Sequence, residues 1–153
     1  KSFKGMVPVS EQVDLIKAYN KRLFGANPAE QAKFARAWTA WENALASLES
    51  PGFGSSPSTD YAKAFARLEN HYFSNKGFLK SDNQIFNNLD LVNHIPLTIV
   101  QGRYDMICPP ASAQALHHKW PESKLIMVPT AGHAMSEPGI ASALISTMDK
   151  LKN

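Results

Sequence analysis

Ile95-Pro96-Leu97-Thr98-Ile99-Val100-Gln101-Gly102-Arg103-Tyr104-Asp105 and, further on, Leu125-Ile126-Met127-Val128-Pro129-Thr130-Ala131-Gly132-His133 decide how this chain is read. Each stretch contains a short apolar run rich in β-branched residues, which favours a strand. Each run leads, past a glycine, to a residue that can hold or move a proton. The strand candidates are Leu97–Gln101 and Lys124–Val128, with a helix candidate starting at Pro109-Pro110 between them. A last helix is expected from about Glu137 to Leu151, entered through Pro138 in its first turn. The order strand, helix, strand, helix predicts a parallel pair joined by a right-handed crossover.

Open parallel sheets collect functional groups on the loops beyond the carboxyl ends of their strands. Asp105 and His133 fall on two such loops in succession. A serine hydroxyl is a weak nucleophile until a histidine takes its proton. That histidine in turn needs an acceptor on its other ring nitrogen. An acid after one strand and a Gly-His after the next is the order in which an α/β-hydrolase delivers the last two members of a Ser-Asp-His triad. A turn-forming aspartate or an incidental histidine would explain either residue alone. Their joint occurrence, with Gly102 and Gly132 opening the turns, favours the triad.

The third member is missing. A Gly-x-Ser-x-Gly elbow on a strand-to-helix turn does not occur. Gly54-Ser55-Ser56 lies in the breaker-rich loop Ser50–Ser58, has Pro57 where a second glycine belongs, and follows no strand. The backbone donors of an oxyanion hole are missing with it. Two strands alone also leave apolar faces and an open edge. The expected fold is therefore α/β, a C-terminal fragment of an α/β-hydrolase, with a helical first half followed by two parallel β/α units. Such a fragment is expected to be inactive alone, and to associate with the missing N-terminal half or with a second copy of itself.

Composition narrows the field. The chain has 153 residues, a net charge of +3 and 19% charged residues, with no run of Lys or Arg. Neither nucleic acid nor a membrane is indicated as a partner. No apolar stretch reaches the length of a membrane span, and the first residues resemble no targeting peptide. Cys108 is the single cysteine, which excludes an internal disulfide and a thiolate metal cluster. These features make the cytoplasm the expected location. His117 and His118 have no ligand-spaced partner and His94 precedes a strand, so no metal site is expected.

The first half reads as helices. Ser10 is a candidate cap for a helix carrying Val13, Ile16, Leu23 and Phe24, closed by Gly25. Asn27-Pro28-Ala29-Glu30 is a strong helix start, with a capping side chain, proline at the first position and a glutamate three residues past the cap. Phe34, Trp38, Trp41, Leu45 and Leu48 then form one apolar stripe. A third helix from Thr59 or Asp60 shows Tyr61, Phe65, Leu68 and Tyr72 on one face, and a short polar helix is expected near Ser81–Asn88. Aromatic stripes usually pack inward, so Trp38, Trp41, Tyr61 and Phe65 are expected to form the core of the helical half. The boundary is expected near residue 90, with a helical module at 1–90 and a β/α module at 91–153.

At Gly102-Arg103-Tyr104-Asp105 the chain resembles the proline iminopeptidases (prolyl aminopeptidases), serine peptidases of the α/β-hydrolase class. Trp38-Thr39-Ala40-Trp41-Glu42, Ala66-Arg67-Leu68-Glu69-Asn70-His71-Tyr72-Phe73, Gly77-Phe78-Leu79, Ile107-Cys108-Pro109 and Ala131–Gly139 resemble family segments in the same order. The Glu-Asn-His-Tyr-Phe run is the specific part, and the likeness extends from about Glu11 onward. The resemblance implies that the first half is the helical cap, set before the last two parallel β/α units of the core sheet, and that the activity is release of N-terminal proline from peptides without a cofactor. It implies that Asp105 is the triad acid and His133 the general base. Glu42 and Glu69 would hold the substrate's α-ammonium group, and Phe73 and Cys108 would line the pyrrolidine pocket.

The cap residues also make physical sense unaided. Glu42 falls inside an apolar stripe and Glu69 borders another, where a carboxylate is costly unless paired. Each could pair with an arginine such as Arg36 or Arg67, or reach water. Two carboxylates facing one pocket would instead attract an ammonium group, which only a free N-terminus presents. Two other readings stay open: a hydrolase of this fold acting on an ester, amide or epoxide, and a non-catalytic binding module. A nucleophilic Cys108 is disfavoured, since a reactive thiolate would need a base of its own.

Overall fold

The structure is a computed structural model describing residues 3–48 and 57–152. It contains helices α1 (Leu15–Leu23), α2 (Pro28–Ala46) and α3 (Thr59–Ser74), then β1 (Thr98–Gly102), α4 (Pro110–Lys119), β2 (Lys124–Val128) and α5 (Pro138–Lys150). The described residues divide into two compact units, one of residues 3–42 and 57–79 and one of residues 43–48 and 80–152. The boundary expected near residue 90 is one of role, cap against core. By compactness, the last turn of α2 and residues 80–90 belong with the strands.

In the helical unit, α2 starts as its sequence dictates: Asn27 Oδ1 accepts from the N–H groups of Ala29 and Glu30 at 3.0 and 3.2 Å. The first helix starts later than Ser10, because Asp14 takes the cap and accepts from the Lys17 N–H at 2.9 Å. A separate turn of 3-10 helix, Val9–Glu11, precedes it and leaves Val13 exposed. The core is Val7, Ala18, Tyr19, Leu23, Phe34, Ala35, Trp38, Ala62 and Ala66. Tyr19 is central, stacked on Phe3 and meeting Phe34 and Trp38 edge-on. Its hydroxyl donates to the Phe3 carbonyl at 2.8 Å, and burial pushes its pKa up to about 12.

The aromatic stripes do not all turn inward. Trp38 is buried as expected, but Trp41, Leu48, Tyr61, Leu68 and Tyr72 are exposed, and Phe65 is half-buried. The buried face of α3 is instead Ala62, Ala66 and Asn70, four residues apart. Small side chains let α1 and α3 pack closely, a contact that rings would hold open. Asn70 bridges the helices: its amide donates to the Ile16 carbonyl at 2.9 Å, and its oxygen accepts from the Asn20 amide at 2.7 Å. The polar helix expected near Ser81–Asn88 is a series of turns leading into a 3-10 stretch, Phe86–Leu91, broken at Asn88.

The β/α unit follows its sequence closely. β1 and β2 pair in parallel, with Thr98 opposite Lys124 and Gly102 opposite Val128. The connecting helix and the last helix begin at Pro110 and Pro138, each with proline in its first turn. α4 and α5 both pack on the strands, and Val128, Ala131 and Ile140 form a small core. Ile126 is 37% exposed, and Ile145 and Met148 on α5 and Leu151 just past its end are 60–70% exposed.

Candidate active site

The loops after β1 and β2 are bound together where the strands end. The Arg103 N–H donates to the Val128 carbonyl and the Tyr104 N–H to the Ala131 carbonyl, both at 3.0 Å. Their closeness explains Gly102: a β-carbon there would lie 1.9 Å from the Gly132 carbonyl oxygen. Across this junction Asp105 and His133 meet, with Oδ2 of the acid 2.9 Å from Nδ1 of the ring.

Asp105 is 6% exposed and fully engaged. Its Oδ1 accepts the N–H groups of Ile107 and Cys108 at 2.9 and 2.7 Å. Its Oδ2 is shared between His133 and the Gln101 amide at 3.2 Å. Burial pushes the carboxyl up. The Cys108 N–H, the His133 ring and the Ile107 N–H together outweigh it, so the group titrates below its ordinary value. An ionised Asp105 fixes the neutral imidazole with its proton on Nδ1, leaving Nε2 as the basic nitrogen. The His133 side chain remains 41% exposed while the acid behind it is sealed. An accessible imidazole backed by a buried, ionised acid can receive a proton from a hydroxyl and return it to a leaving group.

Cys108 contributes its backbone to this site and is itself exposed. Protein atoms covering part of its sulfur, and then the Asp105 carboxylate, push the thiol up, away from nucleophilic reactivity. In the helical unit, Glu69 accepts the indole N–H of Trp38 at 2.7 Å, a partner other than the arginines. Arg67 donates to the Leu23 carbonyl and Arg36 to the Thr59 hydroxyl. Phe73 is half exposed, packs 6.0 Å from Trp38 between ring centroids, and lines a groove of about 460 Å³ with Ile16, Lys17 and Asn20. Glu42 is half-buried near the end of α2. Gly54-Ser55-Ser56 lies outside the described residues.

Two further side chains, neither among the expected site residues, shape the site. Gln101 is the last-but-one residue of β1, and its amide braces Asp105 and the Cys108 carbonyl. Its signal was a polar residue at the end of an apolar strand. Glu137 is 6% exposed and accepts the N–H groups of Gly132 and Leu48 at 2.9 and 3.1 Å. Its signal was a glutamate four residues after the histidine, directly before a proline. His117 has a local partner, with Nδ1 2.7 Å from the Ser123 hydroxyl. Among the described residues no group of three or more His, Cys, Asp or Glu could hold a metal, and no helix is long and apolar enough to cross a membrane.

This fold, with an acid and a histidine paired on successive parallel β/α units, is that of an α/β-hydrolase, present as a C-terminal portion. A family model for that class, described as "TAP-like protein", matches residues 78–150. Within the class, the chain is similar over nearly its whole length to proline iminopeptidases. It is 47% identical to a probable proline iminopeptidase of Leptolyngbya boryana over 146 residues, which are 94% of this chain and 46% of the relative. It is 44% identical to the proline iminopeptidase of Arabidopsis thaliana, covering 98% of this chain and 40% of the relative. For the Neisseria gonorrhoeae proline iminopeptidase the identity is 40%, over 97% of this chain and 47% of the relative. The chain thus spans less than half the length of the curated relatives it matches.

Proposed function

We propose that this chain is part of a serine aminopeptidase that releases N-terminal proline from peptides, and that it carries the acid and the base of the triad. The observation that carries the reading is the 2.9 Å bond between Asp105 and His133 on the loops after consecutive parallel strands. The names of the relatives supply the substrate class. In the complete enzyme, a serine outside this chain attacks the prolyl carbonyl. The Oγ–C bond forms as the hydroxyl proton passes to Nε2 of His133. The same proton then goes to the departing amine as the C–N bond breaks, and water repeats the cycle on the acyl-enzyme. Asp105 stays ionised throughout and stabilises the imidazolium.

The cap, residues 1–90 in this reading, supplies selectivity to a core formed from residues 91–153. Glu42 and Glu69 hold the α-ammonium group, which restricts the enzyme to free N-termini. Phe73 and Cys108 flank the pyrrolidine ring. The Trp38 bond supports this by fixing the orientation of the Glu69 carboxylate. The chain by itself lacks a serine elbow and is inactive. The exposed Ile126, Ile145, Met148 and Leu151 suit association with the N-terminal half or a second copy.

The test is the intact mass of a sample followed by prolyl-p-nitroanilide hydrolysis on the same material. Material of 16.9 kDa is expected to show no turnover. Turnover at that mass, surviving repurification, would refute the role split and require another nucleophile.

A further inference from the structure

Glu137 stands at the N-cap of α5, yet its side chain makes no capping bond to that helix. Only its backbone serves α5, accepting the Ala141 N–H at 2.9 Å. The carboxylate turns upstream, where Oε1 takes both the Gly132 and the Leu48 N–H. Burying a carboxylate is costly unless its lone pairs are satisfied, and among the described residues no cation pairs with it. Beside it, the Ala46 carbonyl at the end of α2 accepts the N–H groups of His133 and Ala134, both at 2.8 Å. Three consecutive N–H groups, from Gly132 to Ala134, are thus fastened to residues 46–48, two directly and one through Glu137. The fit at Gly132 is tight, since a β-carbon there would lie 2.9 Å from the Ala46 oxygen and 3.0 Å from Oε1.

From this geometry we infer that Glu137 is a positioning residue: its Oε1 clamps the histidine loop to the end of α2 and so sets His133 against Asp105. The clamp works by reach and acceptor capacity. A single oxygen takes both bonds, so the amide oxygen of glutamine can replace it, whereas the shorter aspartate keeps the charge and loses the reach. The inference takes its catalytic meaning from the proposed triad, but its test needs no substrate.

The readout is the tautomer of the neutral His133 ring, followed by long-range proton–nitrogen NMR of the 153-residue chain. Wild type and Glu137→Gln are expected to hold the Nδ1–H form by about tenfold over Nε2–H, as an acceptor on Nδ1 dictates. In Glu137→Ala and Glu137→Asp, Nδ1–H is expected to become the minor form. The Trp38 indole proton, bonded to Glu69, reports that the helical unit is still folded. If the Ala variant unfolds, the Gln and Asp variants decide between reach and charge. Retention of Nδ1–H in Glu137→Asp, or its loss in Glu137→Gln, overturns the inference. A wild-type ring without the Nδ1–H form overturns it together with the triad. If the ring responds as expected but the complete enzyme ignores prolyl-p-nitroanilide, the substrate reading falls and the positioning role stands.

Discussion

In the helical unit Tyr19, Leu23, Ala35, Trp38, Ala62 and Ala66 are at most 2% exposed, whereas the central cluster of the β/α unit is Val128, Ala131 and Ile140. The second unit keeps its order differently. Its site is a chain of hydrogen bonds from Gln101 through Asp105 to His133, and from the histidine loop through Glu137 to Leu48. One unit is specified by packing and the other by polar bonds with little apolar burial behind them. Packing is non-directional and tolerates exchange of similar volumes, while a buried polar network fails when one member is left unsatisfied. Substitutions should therefore act as loss of stability in the first unit and as loss of site geometry in the second.

Trp38→Ala is expected to have the largest effect. It opens a cavity among Tyr19, Phe3 and Phe73 and leaves Glu69 without its indole partner. The expected cost is about 4 kcal/mol, against about 1 kcal/mol for Ile140→Val in the thin core. Chemical denaturation followed by far-UV circular dichroism measures both. Equal costs would mean that the β/α unit depends on packing as much as the helical one.

Gly102→Ala comes next, at about 3 kcal/mol, near the top of the usual range for overpacking. The added methyl would meet the Gly132 carbonyl at 1.9 Å and the Ala131 carbonyl at 2.6 Å, and backbone cannot rotate away as a side chain can. The histidine loop must move, so the Asp105–His133 bond is expected to break while the helical unit keeps its signals. Imidazole NMR together with the Trp38 indole resonance separates the two. An intact bond in this variant would show that the loop is not held by the close approach.

The same contrast governs how far the fold and site were legible. Leu97–Gln101 and Lys124–Val128 announced themselves as strands because β-branched runs bounded by turns have few alternatives, and their order imposed the parallel pairing. Asp105 and His133 were legible for the same reason, as positions at strand ends. The helix faces were not. Tyr61, Leu68 and Tyr72 make a convincing stripe at helical spacing, but the contact with α1 selected Ala62, Ala66 and Asn70, whose value is small volume and one well-placed amide. Ser10 lost the cap to Asp14, a competition between similar side chains a few residues apart. Glu137 looked like an ordinary helix start, because its bonding oxygen serves a loop that precedes it and a helix end 89 residues upstream.

The smallest effect is the response to acid, and it isolates one member of the polar network. Asp105 titrates below its ordinary value of 3.8 when folded. Above that value both folded and unfolded chains are ionised, and the contribution of its bonds to stability is fully present. As pH falls from about 4 through the depressed folded value, the unfolded chain binds the proton first, and that contribution is lost. Stability of the wild type should therefore fall more steeply between about pH 5 and pH 2.5 than that of Asp105→Asn, which keeps the acceptor for Ile107 and Cys108 but has no charge to lose. Glu11, held below its ordinary value by Arg22 in the helical unit, titrates in both proteins and cancels in the difference. Denaturation midpoints across that range give the answer. Parallel curves for the two proteins would mean that the Asp105–His133 bond adds nothing to folding, leaving orientation of the imidazole as its whole contribution.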